Sequence, residues 1–484
     1  MGLSMGNLDE SFEYKGFFWL PEIPDVEIPG VLFYTPDDGV QLELQGVLHA
    51  PSDNLFRPPT FEDAPLILGV TSKGKEVSLL GCTQIKGSVG SGWRNIATQE
   101  SGYRIKRAFI DVHFPSTEAV EFKEFAVDYT HLDEWFDQNP FQINHPSVSE
   151  MALSYKAPES LSVKVGDYTI SFQVAGPATE QSSVSKYIVY QDVRVKFVSD
   201  VGDKNIDDLF LITRRMQDLI TLGVGEPVFP TGIVAVGCAN KLILDNGKEI
   251  NSPVQVFYTR PWRPKSSRTI YPQQMAFTLK AIRKRLDFYL TNWFLKAENL
   301  KPVLDIYFSL LYREDVYPDF RLLSLVQALD TYHRWRFGGK YQSDEVYLTG
   351  LYTKFLKCFT KDLDEDFRQN LEEGNLRYAN EYSLRKRFIE LTQHFDRNIP
   401  FQFLTIPKER NIFIERVCNT RNYLTYCNPV LTSKVAKTSK ELYDLGEKLQ
   451  ALLEVLLLEE IGFEQAQIGE MIRRHRYYFE MIQN

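Results

Sequence analysis

Cysteine is scarce in this 484-residue chain: Cys82, Cys238, Cys358, Cys418 and Cys427 are odd in number and include no Cys-x-x-Cys pair. That usage excludes a disulfide framework and a thiolate zinc site, and it fits a reducing compartment. A basic surplus is also lacking: 55 Lys plus Arg face 64 Asp plus Glu, for a formal charge of −9. No global positive field therefore exists to coat nucleic acid, and any such contact must be local. Long apolar runs are missing too. The best, Ala451 to Leu458, contains Glu454 and falls short of the roughly 18 residues of a membrane span. Met1 to Glu13 shows no basic start followed by an apolar core, so no signal peptide is expected. These absences together predict a soluble cytoplasmic protein without membrane contact.

Standard catalytic motifs are absent as well: there is no Gly-x-x-x-x-Gly-Lys-Ser/Thr, no Gly-x-Ser-x-Gly and no His-Glu-x-x-His. The seven histidines, His49, His113, His131, His145, His333, His394 and His475, are scattered with no pair at metal-ligand spacing. His333 reads as a hydrogen-bonded histidine on a helix surface, and His475, within Arg473-Arg474-His475-Arg476, as part of a solvated basic face. Gly87-Ser-Val-Gly90-Ser-Gly92 lies among strands and reads as a hairpin. Asp362, Asp364, Asp366 and Glu373 fit positions of a calcium loop, but Phe367 stands where that loop needs glycine, so an acidic helix N-terminus is predicted.

What the chain does have is core material, with 33 Phe, 25 Tyr and 43% hydrophobic residues, enough for roughly two to four domains. Its halves differ in period. From Val31 to about Arg260, apolar residues alternate, as in Val40-Gln-Leu-Glu-Leu44 and Val193-Arg-Val-Lys-Phe197, the period of half-buried strands. Asp37-Asp-Gly39 and Asp245-Asn-Gly247 mark turns, and one helix, Ile206 to Leu222 closed by Gly223, is embedded in this half. Strands resume at Gly232 to Val236 and Val254 to Tyr258.

Beyond Pro272 the helical period takes over, with helices expected near 274–297, 302–313, 318–336, 344–359, 382–395, 407–427, 437–460 and 463–481. Phe320, Leu323, Leu325, Val326 and Leu329 would form one buried face, and Leu449, Leu452, Leu453 and Leu456 another. The expected architecture is therefore α+β and multidomain. A β-rich, sandwich- or barrel-like domain over 1–270 would precede an all-α bundle over 271–484. Residues 301–484 hold 26 Lys plus Arg against 27 Asp plus Glu, so the acidity belongs to the β-rich half. A basic junction, Arg260, Arg263, Lys265 and Arg268 followed by Lys280, Arg283, Lys284 and Arg285, reads as a linker and helix face or as a local nucleic-acid footprint.

The informative segment is Cys418-Asn-Thr420-Arg421-Asn422-Tyr-Leu-Thr-Tyr426-Cys-Asn-Pro429, at the end of a helix stopped by Pro429. Position 426 lies about one turn beyond Asn422, with Arg421 beside them. Around it, Tyr14-Lys-Gly-Phe-Phe-Trp-Leu-Pro21, Pro29-Gly-Val-Leu-Phe-Tyr-Thr-Pro36, Val40 to Gly46, Asn292-Trp-Phe294 and Arg321 to Arg334 occur in order. With these segments the chain resembles the ApeA-like HEPN family of bacterial abortive-infection proteins over most of residues 12–470.

That resemblance implies an anti-phage protein that cuts RNA, such as tRNA or another cellular RNA. It would do so without metal or cofactor, at a composite site shared by two HEPN domains of a homodimer. By position, Arg421 would bind phosphate and Asn422 would orient the catalytic group. Tyr426 stands where the family's Arg-Asn-x-x-x-His motif has histidine. Tyrosine, with an unperturbed pKa near 10, is a poor base at neutral pH. The residues therefore leave two readings open, an endoribonuclease and a catalytically inactive RNA- or partner-binding protein. Catalysis could be rescued by another nearby histidine such as His333 or His475. The β-rich half would be a sensor or inhibitory module that receives a phage-derived trigger.

Overall fold

The computed structural model describes residues 6–48, 63–91, 97–183, 185–237, 241–243, 249–260, 269–313, 315–360, 363–426, 434–478 and 481–482. Cys238, Cys427, His49, Gly92, the 245–247 turn, Arg263, Lys265, Arg268, Asp362 and Pro429, all singled out above, lie outside them. The chain divides into two compact units, Met1–Asp287 and Phe288–Asn484. Among the described residues no helix is long and apolar enough to cross a membrane.

The first unit is built on a closed barrel of six antiparallel strands: β1 (Phe12–Trp19), β2 (Ile28–Thr35), β3 (Gly39–Leu44), β4 (Ala64–Thr71), β5 (Glu76–Ser91) and β6 (Ala97–Ile110). Around the ring the order is β1-β2-β3-β6-β5-β4, closed by β4 on β1. The alternation in β3 turns Val40, Leu42 and Leu44 into the core, where Phe18, Leu32, Leu79 and Ile105 are buried as well. The described part of the glycine-rich run, Gly87 to Ser91, lies in the expected antiparallel pair, since β5 and β6 pair as far as Ser91 with Ala97.

β6 has a second role. Its residues 101–105 pair with β3 inside the barrel, whereas residues 107–110 pair with β12 (Val254–Tyr258). Through β12 the sheet continues to β11 (Pro230–Val236), β7 (Glu124–Tyr129), β10 (Lys186–Ser199), β9 (Tyr168–Ser183) and β8 (Leu161–Val165).

Of the helices in this unit, α1 (Leu132–Phe136) is a single turn and α2 (Ile206–Val224) is the embedded helix. α2 runs past its expected stop. Gly223 sits inside it, because a Cβ there would collide with the Trp135 indole nitrogen. The left-handed cap is Gly225 at φ 81°, a conformation open to glycine. Arg260, expected in a solvated junction, is instead buried. Its guanidinium donates to the carbonyls of Leu8 at 2.6 Å and Pro230 at 3.2 Å and pairs with Asp9 at 2.9 Å.

The second unit is all-helical. Its main helices are α3 (Leu286–Asn299), α4 (Lys301–Leu311), α5 (Pro318–Phe337), α6 (Leu384–Gln393), α7 (Pro407–Tyr426), α8 (Ser439–Ile461) and α9 (Gln465–Arg474). α8 is central and buries Leu449, Leu452, Leu453 and Leu456. A capping box starts it, in which Thr438 Oγ1 accepts from the Glu441 amide and Glu441 accepts from the Thr438 amide. Backbone donors from Lys437 and Thr438 hold the Glu441 carboxyl down at about 2.

α8 also carries buried polar groups. Glu454 accepts from Tyr307 Oη at 2.7 Å and Gln450 Nε2 at 2.8 Å, with Tyr478 Oη on its other oxygen. Burial pushes its carboxyl up to about 7.

Several helical expectations change. The 274–297 segment is broken, because Thr278 caps a new start at Leu279 and a 3-10 turn over Arg283–Arg285 precedes α3. The last helix stops at Arg474, where His475 takes an extended backbone and is buried rather than solvated. A helix at Glu365–Gln369, expected only through its acidic start, is capped by Asp364 and runs on into a π turn at Asn370–Leu376. Its acidic N-terminus matches the reading of that segment. Phe320 is 60% exposed. It lies about 200° around the helix from Leu322, and the buried stripe of α5 is Leu322, Leu325, Val326, Leu329 and His333.

Candidate functional site

α7 turns Phe413, Ile414, Val417, Cys418 and Thr420 into the bundle. Its last turn leaves Arg421 and Asn422 half-buried and Tyr426, the final helical residue, 66% exposed. The structure brings these three together. Arg421 Nη1 donates to Asn422 Oδ1 at 3.1 Å and lies 3.4 Å from Tyr426 Oη, with the guanidinium 5.5 Å from the Tyr426 ring centre. Beneath them, the enclosed Thr420 hydroxyl accepts the Ala436 amide at 3.0 Å and Lys434 pairs with Glu415 at 2.7 Å. The chain returning towards α8 is thereby fastened to α7.

Arg421 and Thr425 form one wall of a cleft of about 480 Å³ whose other walls come from α5, α6 and the Glu381–Tyr382 segment. Its floor holds a square of charges. Arg387 donates to Asp330 at 2.5 Å and Glu381 at 3.1 Å, and Arg334 donates to the same two carboxylates at 3.2 and 2.9 Å. Two cations are thus matched by two anions. Arg421 has no carboxylate partner among the described residues; its side chain meets Asn422 and Tyr426. A guanidinium in this setting is an open fork of donors suited to phosphate.

Among the described residues no histidine lines this cleft. His333, expected on a helix surface, is fully enclosed, with Nε2 at 2.8 Å from Glu390. Burial pushes its pKa down while Glu390 opposes the shift. His475 packs against Tyr478 at 5.1 Å. Cys418, one turn before Arg421, is no nucleophile at neutral pH, since burial raises its thiol to about 11 even with Arg385 and Arg421 opposing. Arg387 carries no sequence signal, because its partner Asp330 lies 57 residues away in the chain.

Comparison with known families accounts for both units. Residues 13–293 match the ApeA N-terminal domain 1 family, and residues 323–467 match the Apea-like HEPN family. The chain belongs to the ApeA-like HEPN family. The order of its two matches is that of an abortive-infection HEPN protein, a β-rich barrel followed by a helical HEPN region. The HEPN match includes α7, and with it Arg421, Asn422 and Tyr426. No curated protein and no solved structure matches the chain.

Proposed function

We propose that this ApeA-like HEPN protein acts in phage defence on RNA, with Arg421 gripping a backbone phosphate and Asn422 holding the guanidinium in place. The observation that carries this reading is the charge pattern of the cleft. Arg334 and Arg387 are each neutralised by Asp330 and Glu381, while Arg421 faces the same space without a carboxylate. A hydrogen bond to a charged group stabilises by about 1.5–3 kcal/mol, so Arg421→Ala should lower RNA affinity by roughly 10- to 150-fold. Undiminished affinity in that variant would overturn the reading.

The reaction such a site supports is metal-independent endoribonucleolytic cleavage, with the group at position 426 moving the proton and a second copy of the chain completing the site. One observation favours binding without turnover as the second reading: position 426 offers an exposed phenol, and among the described residues no histidine lines the cleft. Incubation of the full chain with total cellular RNA separates the two. Fragments that disappear in Arg421→Ala support cleavage, and intact RNA bound in an Arg421-dependent complex supports binding alone. The β-rich unit fits a sensing or restraining role for a phage-derived trigger. Expression of residues 271–484 tests it, since toxicity above that of the full chain is the expected sign of lost restraint.

A further inference from the structure

We propose that the rim of the Arg421 cleft carries a stacking subsite for an unpaired nucleobase, formed by Tyr341 with Tyr382 and Lys386, which makes single-stranded RNA the form the site selects. This rests on the reading of Arg421 as a phosphate ligand. Tyr382 lines the cleft that Arg421 walls. Its ring meets Tyr341 edge-on at 4.7 Å, and the Lys386 ammonium lies 3.6 Å from the Tyr382 ring centre and 4.0 Å from that of Tyr341. Lys386, like Arg421, has no carboxylate partner among the described residues. The cleft region therefore offers two cations without a carboxylate partner among the described residues, Arg421 on its wall and Lys386 seated between two aromatic rings at its rim.

Tyr341 is 62% exposed, yet it is held firmly. Its amide donates to the Asn380 carbonyl at 3.0 Å. The buried Asn380 side chain donates to the Gln342 carbonyl at 2.8 Å and accepts the Gln342 amide at 3.2 Å. The Tyr382 amide in turn donates to the Gly339 carbonyl at 2.8 Å. A large ring exposed on a backbone fixed from both sides gains little from folding, but it loses little freedom on binding. Every base offers a π-face to such a ring, and a cation beside it takes the adjoining phosphate. In a duplex the base faces are already stacked and the ring has nothing to receive.

The test is fluorescence anisotropy of the full-length protein with a labelled 12-nucleotide single-stranded RNA, and with the same RNA annealed to its complement. Tyr341→Ala is expected to weaken single-strand binding by about 5- to 150-fold. Tyr341→Phe should keep wild-type affinity, and duplex binding should not change in either variant. Lys386→Ala should lower the slope of log affinity against log salt by about one. If Arg421→Ala weakens binding while Tyr341→Ala matches the wild type, the stacking subsite is wrong and the phosphate site stands. Equal losses for single strand and duplex in Tyr341→Ala would also overturn it, and a wild type that binds no RNA removes both proposals.

Discussion

The Arg421 guanidinium lies 3.4 Å from the Tyr426 hydroxyl across the last turn of α7, so the proposed phosphate ligand and the group proposed to move the proton share one helix face. Neither residue depends on distant chain for this geometry, which makes the pair open to substitution. A histidine at 426 would stand on the same backbone, beside the same arginine, with a pKa near neutrality.

Tyr426→His is therefore expected to raise RNA cleavage by about 10²–10⁴-fold, the usual contribution of a positioned acid or base. The gain should vanish when Arg421→Ala is added. Gel analysis of labelled RNA checks it, and cleavage that survives the double change would place the chemistry elsewhere.

Arg387 is 3% exposed and serves both Asp330 and Glu381. Arg387→Met leaves two carboxylates to share Arg334 and should cost about 3 kcal/mol. A melting scan of the full chain should show the helical unit losing roughly 6–12 °C. An unchanged melt would mean that the square of charges adds nothing to stability.

Thr420→Val keeps the shape of the side chain and removes the acceptor of the buried Ala436 amide. The orphaned donor should cost about 1–3 kcal/mol. Hydrogen exchange at Ala436 should accelerate while amides in the middle of α8 keep their protection. Slow exchange at Ala436 in the variant would show that the return chain is held by other contacts.

Glu454 supplies a pH dependence of stability. Its folded-state pKa, about 7, lies above its ordinary 4.5, so between these values the folded chain binds more protons than the unfolded one. The helical unit should lose stability as pH rises from about 4.5 to about 7, by on the order of 3 kcal/mol. Glu454→Gln should flatten that part of the profile relative to wild type. Parallel wild-type and variant profiles would refute it.

The elements legible in the sequence were those whose signal is local. Val40, Leu42 and Leu44 alternate, and they line the barrel; the stripe Leu449, Leu452, Leu453 and Leu456 is fully buried in α8. Arg421, Asn422 and Tyr426 could be placed together because one helix turn joins them. Pairings between distant residues were not legible. Asp330 meets Arg387 across 57 residues, and the closure of the barrel by β4 on β1 leaves no mark in either strand. Gly223 misled because glycine serves both to end a helix and to make room for a neighbour, here Trp135. His333 misled because its partner Glu390 sits on another helix.

The shared strand β6 also sets a schedule for synthesis. All six barrel strands have been made once Ile110 leaves the ribosome, but the stretch 107–110 that pairs with β12 must wait for Val254–Tyr258. At about 5–20 residues per second that delay is on the order of ten seconds. During it a finished barrel presents a bare strand edge to its surroundings. A nascent chain of this protein thus stays open to chaperone capture or wrong pairing even after its barrel has closed.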